Sequence, residues 1–333
     1  MRNLQPEKIR EIISQCIELC PADSRCEIEV RCNEPMSHHT TFKTGGPADI
    51  WLRVRGENFP AFCAALIYRA RREEIPVFIL GGGANIVVSD KGIRGITLDM
   101  GAWEGESVCP QCAAEGELVL KSGTSIDDAA DIAVASGLSG LEFLAGMPGT
   151  VGGALWMNAR CYGKEISDVL SWAEIIDFGG GKEEPRIKRI TVGDSSVKAG
   201  FNYKKSPFQK MDCLILSAAF KLKKGGKEKS LVEMEKNRQD RREKGHYLFP
   251  CAGSAFKNNR DFGKPTGQII DELGLRGFQI GGAQIAPFHG NIVINTGCAT
   301  SADIRALMDE VAAKVKAATG FTLESEILFI GDW

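Results

Sequence analysis

A chain of 333 residues is longer than the roughly 250–300 residues at which a single apolar core stops growing, so two or three packed domains are expected. Apolar residues at 43% and charged residues at 25% sit near the averages of folded globular chains, which excludes disorder and collagen-like sequence. A net charge of -2 leaves no basic field for wholesale nucleic-acid binding, and no apolar run, Ile75 to Leu80 included, approaches the ~20 residues that cross a bilayer.

Along the chain, Ile9, Ile12, Ile13, Cys16 and Ile17 form one stripe of an amphipathic helix over Leu4 to Leu19, an appendage docked on the body. Ile50, Leu52 and Val54 alternate as a strand, Asn58 to Glu74 reads as a helix and Val77 to Leu80 as a short strand, together a βαβ unit. Ser125 and Asp128 resemble a capping box opening a helix through Val134, with Gly137 as its stop. Strands follow at Ala173 to Phe178 and at Leu214, Leu216, Ala218, Phe220 and Leu222, with Gly179, Gly180 and Gly181 as a turn, so this middle region reads as mainly antiparallel. Lys227 to Lys244 is a charged helix; further helices are expected at Gly267 to Leu273 and at Ser301 to Ala318, the latter closed by Gly320. A final strand over Phe321 to Ile330 is expected to put Glu324, Glu326, Leu328 and Ile330 on one face.

Eleven cysteines, odd in number and scattered, are expected to stay reduced in a chain that lacks a basic-then-apolar export signal and reads as cytoplasmic. Cys109 and Cys112 form the one Cys-x-x-Cys, without a second half at metal-ligand spacing, and no metal is expected.

Two glycine clusters stand out. Val77 to Leu80 runs into Gly81, Gly82, Gly83, Ala84 and Asn85, small residues whose main-chain N–H groups suit a phosphate cradle. It is no dinucleotide-binding fingerprint, because the strand-like Ile86, Val87 and Val88 follow where a helix should start, and no P-loop, because no Gly-Lys-Ser/Thr follows; a tight turn between two strands is the competing reading. The second cluster, Gly146 to Ala154, is too rich in glycine for a helix interior and too apolar for a linker, and reads as a loop pressed against a flat ligand or as a packed loop. Two such loops point to a dinucleotide-sized cofactor.

The stretches Thr41 to Ala48, Leu80 to Asp90, Gly137 to Asn158, Phe201 to Phe208, Gly253 to Asn258 and Leu323 to Gly331 resemble, in order, the motifs of the UDP-N-acetylenolpyruvoylglucosamine reductases. The resemblance covers about the last 290 residues, beginning near Met36, and is closest to the shorter type without a tyrosine-loop insertion. It implies an α/β (α+β) chain with a two-part FAD-binding type-2 unit of the vanillyl-alcohol oxidase (PCMH-like) kind and a third, substrate-binding domain. The expected borders are residues 1–35 for a helical extension, 36–101 with the terminal strand 321–333 for the first FAD-binding part, 102–224 for the second, and 225–320 for the substrate domain.

The resemblance also implies FAD between the first two domains and NADPH as reductant, with hydride passing through flavin N5 to C3 of an enolpyruvyl UDP-sugar in peptidoglycan precursor synthesis. Thr44, Gly45, Gly46, Gly81, Gly82, Gly83, Ala84, Asn85, Gly123, Pro148, Gly149, Thr150, Gly152 and Gly153 would lie along FAD, the Gly81–Asn85 run at its pyrophosphate. Charge left at C2 and the carboxylate needs a proton from a fixed direction and preorganised donors. Ser254 matches the proton-donating serine and Glu326 the glutamate that meets the enolate, with Glu324 as the neighbouring candidate. Asn258, Lys257 and Arg242 would serve the substrate.

Two departures bear on the chemistry. Lys204 stands where the family usually carries an arginine, exchanging a planar fork for a point charge, and Arg160 stands where glycine is common, a position from which it would supply the missing guanidinium. His246 and Tyr247 replace the family's Gln-Pro pair, which puts uridine or phosphate contacts of that loop in question. The competing readings are an FAD-dependent oxidase of the same fold and a flavin-binding protein without catalysis.

Overall fold

The computed structural model of the chain describes residues 6–18, 26–106, 115–181 and 184–333. Cys109, Cys112 and the outer ends of the expected first helix at Leu4 and Leu19 lie outside these residues. The chain separates into two compact units. The first comprises 1–32, 49–82 and 95–238, and the second 33–48, 83–94 and 239–333.

In the first unit the helix Pro6–Glu18 buries Ile9, Ile12, Ile13 and Cys16 in an apolar cluster shared with Ile50, Leu52, Val54 and the helix Phe59–Arg72. The expected stripe is thus the docked face. A four-stranded sheet runs in the order Glu27–Pro35, Pro47–Arg55, Ile93–Asp99, Val77–Leu80. The strands read as a βαβ pair are therefore not neighbours, because Ile93–Asp99 lies between them and pairs in parallel with Val77–Leu80, Leu80 opposite Asp99.

The second sheet of this unit is antiparallel throughout, in the order Arg186–Thr191, Leu170–Asp177, Cys213–Lys221, Glu117–Lys121. Its edge strand Arg186–Thr191 lies on no apolar alternation, since five of its six residues are exposed, and sequence reasoning passed over it. The alternation of Leu214, Leu216, Ala218 and Phe220 suggests one buried face, yet the strand uses two. Leu214 and Leu216 join the cluster around the N-terminal helix, whereas Ile215, Ala218 and Phe220 join a second cluster around the helix Ile126–Ala135. A bulge opposite Glu174 and Ile175 inserts one extra residue, and with a side-chain period of two that exchanges the faces.

The helix Ile126–Ala135 starts as expected, with the Ser125 hydroxyl accepting from Asp128 N. The helix Lys227–Glu243 belongs to the first unit as far as Arg238, whose guanidinium donates to Asp127 and Asp131.

The second unit holds an antiparallel sheet in the order Cys251–Ser254, Ile292–Asn295, Ala283–Ile285, Gln279–Ile280, packed under the helices Thr266–Glu272 and Ser301–Thr319. The longer helix has a capping box from Thr300 and Asp303 and ends at Gly320, φ 78°. A separate parallel pair joins Ile86–Val88 to Leu328–Ile330. The terminal strand is thus three residues long rather than ten. Residues 321–327 run irregularly, so Glu324 is exposed while Glu326 is only 7% exposed; the two carboxylates do not share a face. None of the eight described cysteines is in a disulfide, and among the described residues no helix is long and apolar enough to cross a membrane.

Candidate functional site

In the first unit the two glycine clusters meet. A Cβ on Gly82 would stand 2.6 Å from the Gly149 Cα, and one on Gly81 would stand 2.8 Å from the Thr150 hydroxyl oxygen. Only main chain fits at that separation. The second cluster is not wholly a loop: Val151–Trp156 is a helix, with the Thr150 hydroxyl accepting from Gly153 N. Glycine is tolerated inside it because the helix lies directly on Ser122. Gly152 N donates to Ser122 O at 2.8 Å, and a Cβ on Gly152 would be 2.9 Å from the Ser122 Cβ. Close packing overrides propensity here.

Gly123 is held by its N–H to Trp103 O at 2.8 Å, and Pro148 is exposed. Beside them the buried Ser122 hydroxyl has no hydrogen-bond partner among the described residues. A buried hydroxyl left so, next to main chain stripped of side chains, fits a ligand that brings its own acceptors and lies flat, which is what a dinucleotide offers.

The same unit gathers the two cations that sequence reasoning set against each other. The Arg160 guanidinium lies 5.8 Å and the Lys204 ammonium 5.9 Å from the centroid of the Tyr203 ring. Arg160 Nη1 also donates to Glu165 Oε1 at 3.3 Å. Lys204 sits at φ 56° in a tight turn closed by the mutual main-chain bonds of Asn202 and Lys205. Sequence reasoning missed the organiser of this group. Asn158, fully buried, donates from Nδ2 to Glu165 Oε2 at 2.8 Å and to Asn202 O at 2.9 Å, and accepts from Ser167 N. A polar residue ending a glycine-rich stretch was the signal available.

In the second unit, Gly46 N donates to Ser89 O, Gly45 packs on Val88 and Met36, and Thr44 is buried with a hydroxyl that has no described partner. Gly83 takes φ 61°, where a Cβ would stand 2.0 Å from His39 O, and Ala84 is half-buried. The Asn85 side chain turns to protein: its Nδ2 donates to Glu326 O at 3.0 Å.

Ser254 ends the strand Cys251–Ser254, half-buried, after Gly253 at φ 72°. Its neighbour Ala255 accepts from Glu326 N at 2.9 Å, so Ser254 and Glu326 belong to adjoining extended segments. Lys257 is ion-paired with Glu324, and its main-chain N–H donates to Glu324 O at 2.9 Å. Asn258 is exposed, with Oδ1 accepting from Thr266 N. Arg242 is exposed on its helix and bonds to Gln239. Burial, with Arg241, His289 and Lys244 nearby, lowers the His246 pKa to about 4; burial likewise lowers His289.

Residues 61–184 match the family model described as FAD binding domain, which sets the class: a protein built on the FAD-binding fold. Residues 244–330 match the model of the C-terminal domain of UDP-N-acetylenolpyruvoylglucosamine reductase. A protein of that name from Borrelia garinii subsp. bavariensis is 41% identical over 296 residues, 88% of this chain and 91% of its own length. Another from Treponema denticola is 40% identical over 90% of this chain and 93% of its own. The crystal structure of UDP-N-acetylenolpyruvylglucosamine reductase from Thermus caldophilus superposes with a TM-score of 0.70 at 29% identity, covering 92% of this chain and 99% of that one. The chain belongs to the UDP-N-acetylenolpyruvoylglucosamine reductase family.

Proposed function

We infer that this chain is an FAD-dependent oxidoreductase that uses NADPH to reduce the enolpyruvyl group of UDP-N-acetylglucosamine enolpyruvate, giving UDP-N-acetylmuramate for peptidoglycan synthesis. One observation carries the reading: agreement with reductases of that name along nearly nine tenths of the chain, both family models included. Bound FAD supplies hydride transfer, from NADPH to the enolpyruvyl C3.

Main chain at Gly81, Gly82, Gly123, Pro148, Gly149, Thr150, Gly152 and Gly153, with the Ser122 hydroxyl, would hold the cofactor in the first unit. Thr44, Gly45, Gly46, Gly83 and Ala84, in the second unit, are proposed as cofactor residues on the family motifs alone. Hydride addition at C3 leaves an electron pair at C2, delocalised into the substrate carboxylate. The Ser254 hydroxyl gives its proton to C2, while the Glu326 carboxyl meets the enolate as a hydrogen-bond donor and fixes its orientation. Asn258, Lys257 and Arg242 serve the nucleotide sugar. The support for the Ser254 and Glu326 pair is the Glu326 N to Ala255 O bond, which keeps the two on adjoining segments of one unit. A cytoplasmic site follows from the substrates, both of which are nucleotide-linked and charged.

Anaerobic addition of NADPH to the flavin-loaded protein is expected to bleach the yellow colour, and the enolpyruvyl UDP-sugar to restore it. A protein that takes up no flavin, or whose reduced flavin ignores that sugar, would overturn the reading.

A further inference from the structure

The glycine run Gly81–Asn85 ends in a residue whose side chain faces the catalytic carboxylate's own backbone. Asn85 Nδ2 donates to Glu326 O at 3.0 Å, and Leu328 N donates to Asn85 O at 3.1 Å. On the other side, Glu326 N donates to Ala255 O at 2.9 Å, one residue past Ser254. Both peptide groups flanking the Glu326 Cα are therefore tied, one to the serine segment and one to Asn85.

These ties matter because no regular ladder holds this stretch. The parallel pair begins only at Leu328, opposite Ile86, and residues 321–327 are irregular apart from the single bridge of Ser325 to Phe256. A side-chain amide is the group that fits the task, since it donates to a carbonyl while its own main chain continues into the strand Ile86–Val88. An aspartate of the same shape would turn a carboxylate oxygen toward the Glu326 carbonyl and lose the bond.

We propose that the Asn85 side chain is a positioning group for Glu326: it sets the glutamate for the step that reduces the substrate, a role separate from any its main chain has in the glycine run. The proposal rests on the preceding reading of Glu326. It deepens that reading by joining the end of the phosphate loop to the substrate half of the reaction through one hydrogen bond.

The test uses the flavin-loaded enzyme and its Asn85→Asp, Asn85→Ala and Asn85→Ser variants, with flavin content, melting temperature and both half-reactions followed by stopped-flow absorbance. Misplacement of a catalytic group by an ångström costs on the order of 10²-fold, so the ratio of the substrate-driven reoxidation rate to the NADPH-driven reduction rate is expected to fall by about that factor in Asp and Ala. The shorter hydroxyl donor of Ser is expected to recover part of it. Wild-type reoxidation in Asn85→Asp would overturn the proposal, because the donor would then be dispensable. Equal slowing of both half-reactions, with flavin loss or a matching drop in melting temperature, would overturn it too, as a direct cofactor or folding role. If Asn85→Asp does not fold, Asn85→Ser decides: a ratio no better than that of Ala rejects the donor role. Failure of the functional reading itself is separate, since wild-type enzyme would then not be reoxidised by the sugar.

Discussion

Gly82 and Gly149 are separated by 67 residues, yet a Cβ on the first would stand 2.6 Å from the α-carbon of the second. Gly82→Ala is expected to force the two loops apart, at a cost of about 1–3 kcal/mol. Flavin retention should fall with it, read as the flavin-to-protein absorbance ratio after gel filtration. Gly226→Ala, where a Cβ meets nothing within 4 Å, is the control and should change neither. A Gly82→Ala protein that keeps wild-type flavin content would refute the close packing as a cofactor requirement.

Asn158 makes three hydrogen bonds from a fully buried site at φ 45°. Asn158→Ala leaves the Glu165 carboxylate and Asn202 carbonyl short of a donor and places alanine in a left-handed conformation. The expected loss is about 2–4 kcal/mol in urea unfolding. A loss below half a kcal/mol would mean the group around Tyr203 is held by other means.

Arg160 and Lys204 meet the same Tyr203 ring, and only Arg160 offers a planar fork. Arg160→Lys is expected to lower kcat/KM for the enolpyruvyl sugar by about tenfold or more, as loss of a charge-assisted bond does, while NADPH-driven flavin reduction changes little. A decline no larger than that of an exposed control such as Lys223→Ala would remove Arg160 from the substrate's neighbourhood.

Ser254→Ala should slow substrate-driven reoxidation by about 10²–10⁴-fold, the range for loss of a general acid, and leave the reductive half-reaction close to wild type. Equal slowing of both halves contradicts the role.

His246 has a folded pKa of about 4, below the ordinary 6.5, because burial and the positive neighbours Arg241, His289 and Lys244 oppose its charging, against a smaller pull from Asp240. The unfolded chain therefore binds the extra proton between those values. Stability from this group is complete above about pH 6.5, declines as pH falls toward 4 and declines no further below. His289 shifts the same way. His246→Gln should flatten the decline in urea midpoint between pH 7 and pH 5 without abolishing it, by some fraction of the ~1.4 kcal/mol per pH unit that one whole proton gives. An unchanged slope would show that His246 is solvated.

Much of this was legible in the residues. The stripe Ile9, Ile12, Ile13, Cys16 is the buried face of its helix, Ser125 is a cap, Gly137 and Gly320 take the left-handed φ that ends a helix, and Val77–Leu80 is a strand. Each of these rests on a side-chain period or a dihedral preference within a few residues, and the order of motifs placed the chain in its family.

What failed was of another kind. Gly152 and Gly153 lie in a helix because Ser122, 30 residues earlier, leaves no room for a Cβ at Gly152. Leu216 and Ala218 point into different clusters because a bulge is set by the partner strand at Glu174 and Ile175. Glu324 and Glu326 part company because strand pairing starts only where Ile86 meets Leu328. Local periodicity and turn chemistry, with the residue types of the candidate site, were decided by the sequence alone. Pairing register, close main-chain approach and the tie from Asn85 to Glu326 depend on segments 30 to 240 residues apart, whose meeting is chosen by packing free energy summed over the whole chain, and only the tertiary structure decided them.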